Sequence, residues 1–292
     1  MSAEAPPLPT AGSARAGDLR RRAALVLTPE VRWLGLELGD LWRYRELLYF
    51  LTWRDIKVRY KQTVLGALWA VLQPVLTMIV FSAVFGGLAK LPSDGVPYPV
   101  FTFTALLPWQ LFAFALTNAS NSLVGNQNLV SKVYFPRLIV PIASTLPGLV
   151  DFLLSFGVLL GMLFFYKIHL TVRILALPAF LALALASALG IGLWLSALNV
   201  QYRDVRYVVP FLTTVWQFVT PIGYAASLVP ARWRSIYALN PMTGVVEGFR
   251  WSLLGTGSLD VSLIVSSAIV LILLFTGLLY FKRMEATFAD VI

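Results

Sequence analysis

The 292-residue sequence contains no cysteine and a single histidine, His169. Disulfides, thiolate chemistry and Cys-bearing zinc sites are thereby excluded, and one imidazole makes no metal site alone. Charge is scarce as well, at 13% of residues, about half the share usual in soluble domains. A GxxxxGK[ST] element is missing, so the chain does not cradle a nucleotide in the usual P-loop. Catalytic clusters of carboxylates or histidines are absent, and so is a string of intramembrane ionisable groups that would form a proton relay. What fills the chain instead is apolar: 58% hydrophobic residues and a mean hydropathy of +0.77. Continuous apolar runs select helices over a barrel, whose strands would alternate. The expected fold class is an all-α, polytopic membrane protein with no nucleic-acid partner; the net charge of +9 has an anionic leaflet as its counter-charge.

Residues 1–28, rich in Ala, Pro and Arg, read as a disordered tail without a cleavable signal. Residues 31–61 are charged and aromatic, and they predict an amphipathic helix lying in the interface. Six spans are predicted within residues 62–292, at about 64–87, 98–121, 138–166, 171–199, 207–228 and 260–281. Of the 23 Lys and Arg, only Lys90, Lys167, Arg173, Arg232, Arg234 and Arg250 fall opposite the termini. Both termini are therefore expected to be cytoplasmic.

Three stretches invite a functional reading. At residues 54–76 a basic segment with Arg54, Lys57, Arg59 and Lys61 runs straight into the first span. This is either a topology signal with a surface anchor or a cluster of cations at a site of entry. Residues 121–137 form a cytoplasmic connection, polar and then amphipathic. Residues 230–256 carry Trp233, Tyr237, Phe249, Arg250 and Trp251 and are broken by Pro241 and several glycines. They suggest paired half-helices dipping in from outside as a gate, or else a surface loop with interfacial aromatics. Within the spans, Asp151 stands about 15 Å beyond Pro141 along a helix, near the midplane. It is either an interhelical hydrogen-bond partner or a substrate contact. Phe101, Trp109, Phe112, Trp216, Phe218 and Tyr224 are packing residues or a channel lining. Glu247 and Arg250, three apart, suit a local ion pair.

Four blocks carry a resemblance: RDIKVRYKQTVLGALWAVLQP at 54–74, NLVSKVYFPRLIVP at 128–141, YRDVRYVVPFLTTVWQFVTPIGY at 202–224 and LNPMTGVVEGFRWSLLG at 239–255. In order and spacing they resemble the membrane subunit of type 2 polysaccharide ABC exporters, which move O-antigen, capsule and teichoic acid across the bacterial inner membrane. The resemblance implies a homodimeric channel with two separate ABC ATPase subunits beneath it. ATP and Mg2+ would be bound by those partners and no cofactor by this chain. It further implies that Asn126, Gln127, Lys132, Tyr134, Pro136 and Arg137 couple to the ATPase, and that Arg54, Lys57, Arg59 and Lys61 meet the pyrophosphate of a lipid-linked glycan entering between the first and fifth spans. It also makes 230–256 the external gate. The alternatives are an exporter of a smaller amphiphile and, in another class, an integral membrane transferase; an inert scaffold fits the buried Asp151 least.

Overall fold

A computed structural model describes residues 38–61, 66–257, 261–285 and 287–288, all helix and irregular connection with no strand among them. The expected tail at 1–28 and the beginning of the 31–61 helix lie outside the described residues. Helices α1 (Leu38–Arg43) and α2 (Arg45–Lys61) precede α3 (Gly66–Phe81), whose end widens into a π-helical stretch over Ser82–Leu88. The long α4 (Tyr98–Gly125) follows, then the short α5 (Gln127–Lys132). Next come α6 (Ile139–Thr145) and α7 (Pro147–Phe165), nearly continuous, and a 3-10 turn that leads into α8 (Leu177–Gln201). The chain closes through α9 (Val205–Val219), α10 (Ala231–Ala238), α11 (Pro241–Leu254) and α12 (Val261–Glu285).

The helix limits follow local chemistry. Proline within the first turn opens α4, α7, α8 and α11, where its missing N–H costs nothing. The Asn240 side chain caps α11 by accepting the Met242 N–H at 3.0 Å, and Gly255 ends it in the left-handed region, φ 72°. α9 stops before Pro221: Thr220 is already extended at ψ 143°, as a residue preceding proline prefers.

By length and composition, five helices among the described residues can cross a membrane: Ala67–Leu88, Tyr98–Gly125, Ile139–Phe165, Val172–Gln201 and Val261–Glu285. The span expected at 207–228 is realised as a helix of 15 residues, about 22 Å long at 1.5 Å per residue and short of a 30 Å hydrocarbon core. From Thr220 to Ala225 the chain continues as an irregular, largely buried segment.

α4 is the axis. Phe101, Phe103, Leu106, Phe112 and Leu116 are fully enclosed, and α3, α6, α7, α8, α9 and α11 all pack against it. Lipid tails are as apolar as leucine, so such packing rests on shape and dispersion more than on exclusion of water. Small residues permit the tightest approach. A Cβ on Gly277 of α12 would stand 2.2 Å from the Gly190 carbonyl oxygen of α8. Polar ties supplement the packing: the Asn199 amide of α8 donates to the Ser120 carbonyl at 3.0 Å and to Asn121 Oδ1 at 3.1 Å on α4.

Candidate functional site

The last turns of α2 lie beside α3 and the beginning of α7. This brings Arg59 to Asp151, Nη2 to Oδ2 at 2.5 Å, with side-chain exposures of 39% and 18%. The Tyr60 hydroxyl donates to the other carboxylate oxygen. Burial, with Asp151 holding the proton in place, pushes the Tyr60 phenol from its ordinary 10.0 up to about 12. The Arg59 guanidinium also lies over the Phe114 ring of α4, 4.7 Å from its centre. Asp151 is therefore an interhelical partner held by α2. Asp151 lies in the first turns of α7, four residues past Pro147, within reach of the last turn of α2.

Behind this pair a cavity of about 320 Å³ opens between α3, α4 and α7, lined by Gln73, Gln110, Thr117, Asn118, Phe152 and Ser155 among others. A second hollow of about 300 Å³ adjoins it on the α2 side and shares Arg59, Phe114 and Asn118. Gly148 shapes the floor: a Cβ there would come 2.5 Å from the Phe114 ring.

The other basic candidates differ from Arg59. Arg54 pairs with Asp55 at 2.8 Å and donates to Asn126 Oδ1 at 2.9 Å, tying α2 to the start of the connection between α4 and α6. Lys57 stands over the Trp53 ring, 5.4 Å from its centre, and Lys61 is exposed at the end of α2. In the connection, Asn126 precedes α5, which carries Gln127 and Lys132. Tyr134, at 92% exposure, protrudes beside Val133, and Pro136 leads into α6. The Arg137 N–H donates to Glu285 Oε1 at 3.1 Å and its guanidinium to the Glu285 carbonyl, fastening the connection to the end of α12.

The segment after α9 is organised by a second arginine. Arg250, 1% exposed, meets Glu247 at 3.0 Å and lies 3.6 Å from the centre of the Phe101 ring. It also donates to the carbonyls of Ile222 at 2.9 Å and Tyr224 at 3.4 Å. The local pair expected from the spacing is present, and the longer reach to the 220–225 segment is additional. The Tyr98 hydroxyl donates to the Gly223 carbonyl, and Trp216 Nε1 donates to Asn240 Oδ1 at 3.0 Å. Tyr224 and Tyr237 share a hydroxyl contact of 2.5 Å. Trp251 lies under the Arg173 guanidinium, and Trp233 is half exposed.

Among the aromatic candidates, Phe101, Trp109 and Phe112 are closed in by the chain's own helices, as is Phe249. As the chain stands they pack α4 and offer no surface to a channel. Trp216 packs edge-on against Phe112, 5.3 Å between centres, while Phe218 is 57% exposed. Sequence reasoning missed Gln73, Gln110 and Asn240. For Gln73 and Gln110 a signal was there, since each is an amide set within an apolar helix.

The chain is 28% identical over 251 residues to an O-antigen export system permease protein of Klebsiella pneumoniae, covering 85% of this chain and 95% of that protein. A Myxococcus xanthus protein of the same description is 31% identical over 214 residues, covering 72% and 81%. The polysialic acid transport protein KpsM of Escherichia coli is 27% identical over 242 residues, covering 80% and 92%. The family model described as ABC-2 type transporter matches residues 46–254, from the start of α2 to the end of α11, and the chain belongs to that family.

Proposed function

We propose that this chain is the channel-forming permease of an exporter that carries a lipid-linked polysaccharide out across the bacterial inner membrane. The observation carrying the proposal is the similarity to polysaccharide and O-antigen permeases, which extends over 80–85% of the chain in two of the three comparisons and over most of each relative's length. Two copies form the channel, and two ABC ATPase subunits bind ATP and Mg2+ below it. α9 together with residues 220–228 makes the sixth crossing, and both termini are cytoplasmic. α2 lies in the interface, while α10 and α11 form the external gate. α5, Lys132, Tyr134 and Arg137 meet the ATPase; the 92% exposure of Tyr134 suits a side chain awaiting a partner. The carrier's pyrophosphate is met by Lys57 and Lys61, since Arg54 and Arg59 already hold carboxylates.

The test is ATP hydrolysis by the chain reconstituted in nanodiscs with the ATPase encoded beside it, with and without lipid-linked glycan. Stimulation by the glycan, lost in Lys132→Ala or Tyr134→Ala, is the expected result. Stimulation by a small amphiphile with no response to the glycan would replace this reading with the smaller-substrate exporter.

A further inference from the structure

The cavity behind Arg59 has a chemistry different from that of an anion site. Its charged groups are matched: Asp151 is held by Arg59, and Asp55 at the outer hollow by Arg54. No surplus cation lines either hollow among the described residues, so there is little to draw in a phosphate. Uncharged polar groups are plentiful instead. Gln73 of α3 and Gln110 and Thr117 of α4 project onto the cavity, and their side chains make no hydrogen bond among the described residues. Gln110 and Thr117 are half-buried and Gln73 is exposed at the rim, so their polar groups stand open to water or a ligand in the cavity. Two rings, Phe114 and Phe152, stand beside these polar groups and add an apolar wall. Planar amides, a carboxylate–guanidinium pair and aromatic faces in one enclosure are complementary to a sugar ring. Its hydroxyls both donate and accept, and its C–H face packs on an aromatic plane.

We propose that the cavity between α3, α4 and α7 is a binding site for a neutral, hydroxyl-rich saccharide of one or two rings. Gln73, Gln110 and Thr117 bind the hydroxyls, the exposed edge of the Arg59–Asp151 pair supplies an acceptor and a donor, and Phe114 forms the wall. The volume of about 320 Å³ lies at the small end for ligand pockets, which excludes a long glycan chain as occupant. The outer hollow gives access from the α2 side, and Arg59 on Phe114 stands where the two spaces meet. The proposal rests on the exporter reading for its ligand class and places a glycan contact inside one protomer, away from α9.

The absence of cysteine makes a direct test available. Gln110→Cys and Gln73→Cys each put one thiol into the cavity, and Ser131→Cys puts one on the exposed face of α5. Each full-length variant in nanodiscs is reacted with a water-soluble thiosulfonate. The added probes are short oligosaccharides released from the host's own surface polysaccharide or inorganic pyrophosphate. At about four times its dissociation constant, the oligosaccharide slows labelling of both cavity thiols about fivefold and leaves Ser131→Cys unchanged; pyrophosphate slows neither. Protection by pyrophosphate alone would make the cavity an anion site, and protection by neither would make it water-filled space; both results overturn the proposal. If the wild-type complex responds to lipid-linked glycan while the cavity thiols stay unprotected, this inference fails and the exporter reading stands. Protection without that response removes the exporter reading and keeps the saccharide site.

Discussion

Two arginines rest on phenylalanine rings of the same helix, and they have opposite surroundings. Arg250 against Phe101 is 1% exposed and spends its guanidinium on a carboxylate and two backbone carbonyls. Arg59 against Phe114 is 39% exposed, pairs with a carboxylate that water also reaches, and borders a cavity. The first arrangement is closed, since removing either partner strands charge where nothing replaces it. The second is exchangeable, because solvent or a polar ligand can take over what one side chain gives up. The pair near Phe101 is a fixture of the irregular segment after α9, whereas the pair near Phe114 borders a cavity open to solvent.

The largest effect that sharpens this contrast is Arg250→Met. It leaves Glu247 and the carbonyls of Ile222 and Tyr224 without their donor, at a cost of about 3 kcal/mol or more. Thermal unfolding of the purified chain should show the loss, together with faster proteolysis within residues 220–240. Asp151→Asn keeps a hydrogen-bonding side chain beside Arg59 and should cost about 1 kcal/mol. Equal destabilisation by the two variants would abolish the distinction.

A smaller effect comes from Tyr60, whose phenol is held up at about 12 by burial and by Asp151. Because the folded value lies above the unfolded one, the neutral phenol supports the fold at ordinary pH. That support declines as pH rises from about 10 through 12. Tyr60→Phe should flatten this alkaline fall in unfolding temperature. The smallest effect on stability is expected for Lys57→Gln with Lys61→Gln, within about 0.5 kcal/mol of the wild type. If these lysines meet the carrier's pyrophosphate, glycan-stimulated ATP hydrolysis should drop nonetheless and become less sensitive to salt. Unchanged stimulation would leave the two lysines as a topology signal.

Much of this organisation was legible in the residues. Apolar runs give the long helices, and the proline and glycine positions give most of their limits. The Glu247–Arg250 spacing announced an ion pair. The signal that shortened the fifth predicted span was also present, in Thr220 followed by Pro221, but the hydropathy of the run concealed it. What could not be read is long-range. Nothing local to Asp151 indicates that α2 folds back to meet it, and nothing local to Arg250 indicates the carbonyls of Ile222 and Tyr224, 28 and 26 residues earlier. The burial of Phe101 and Phe112 has the same origin: a run of aromatics says that a helix is crowded, and only the neighbours decide whether the crowding faces inward.

The contact of Gly190 with Gly277 has a mechanical meaning. With backbone against backbone and no side chain between them, α8 and α12 have no layer along which to slide. Asn199 fastens α8 to α4 in turn, so these three helices are tied into one frame. α9, with Val209 its only buried described residue, has few such fastenings. If the chain widens a passage as proposed, α9 is a helix with few ties to that frame.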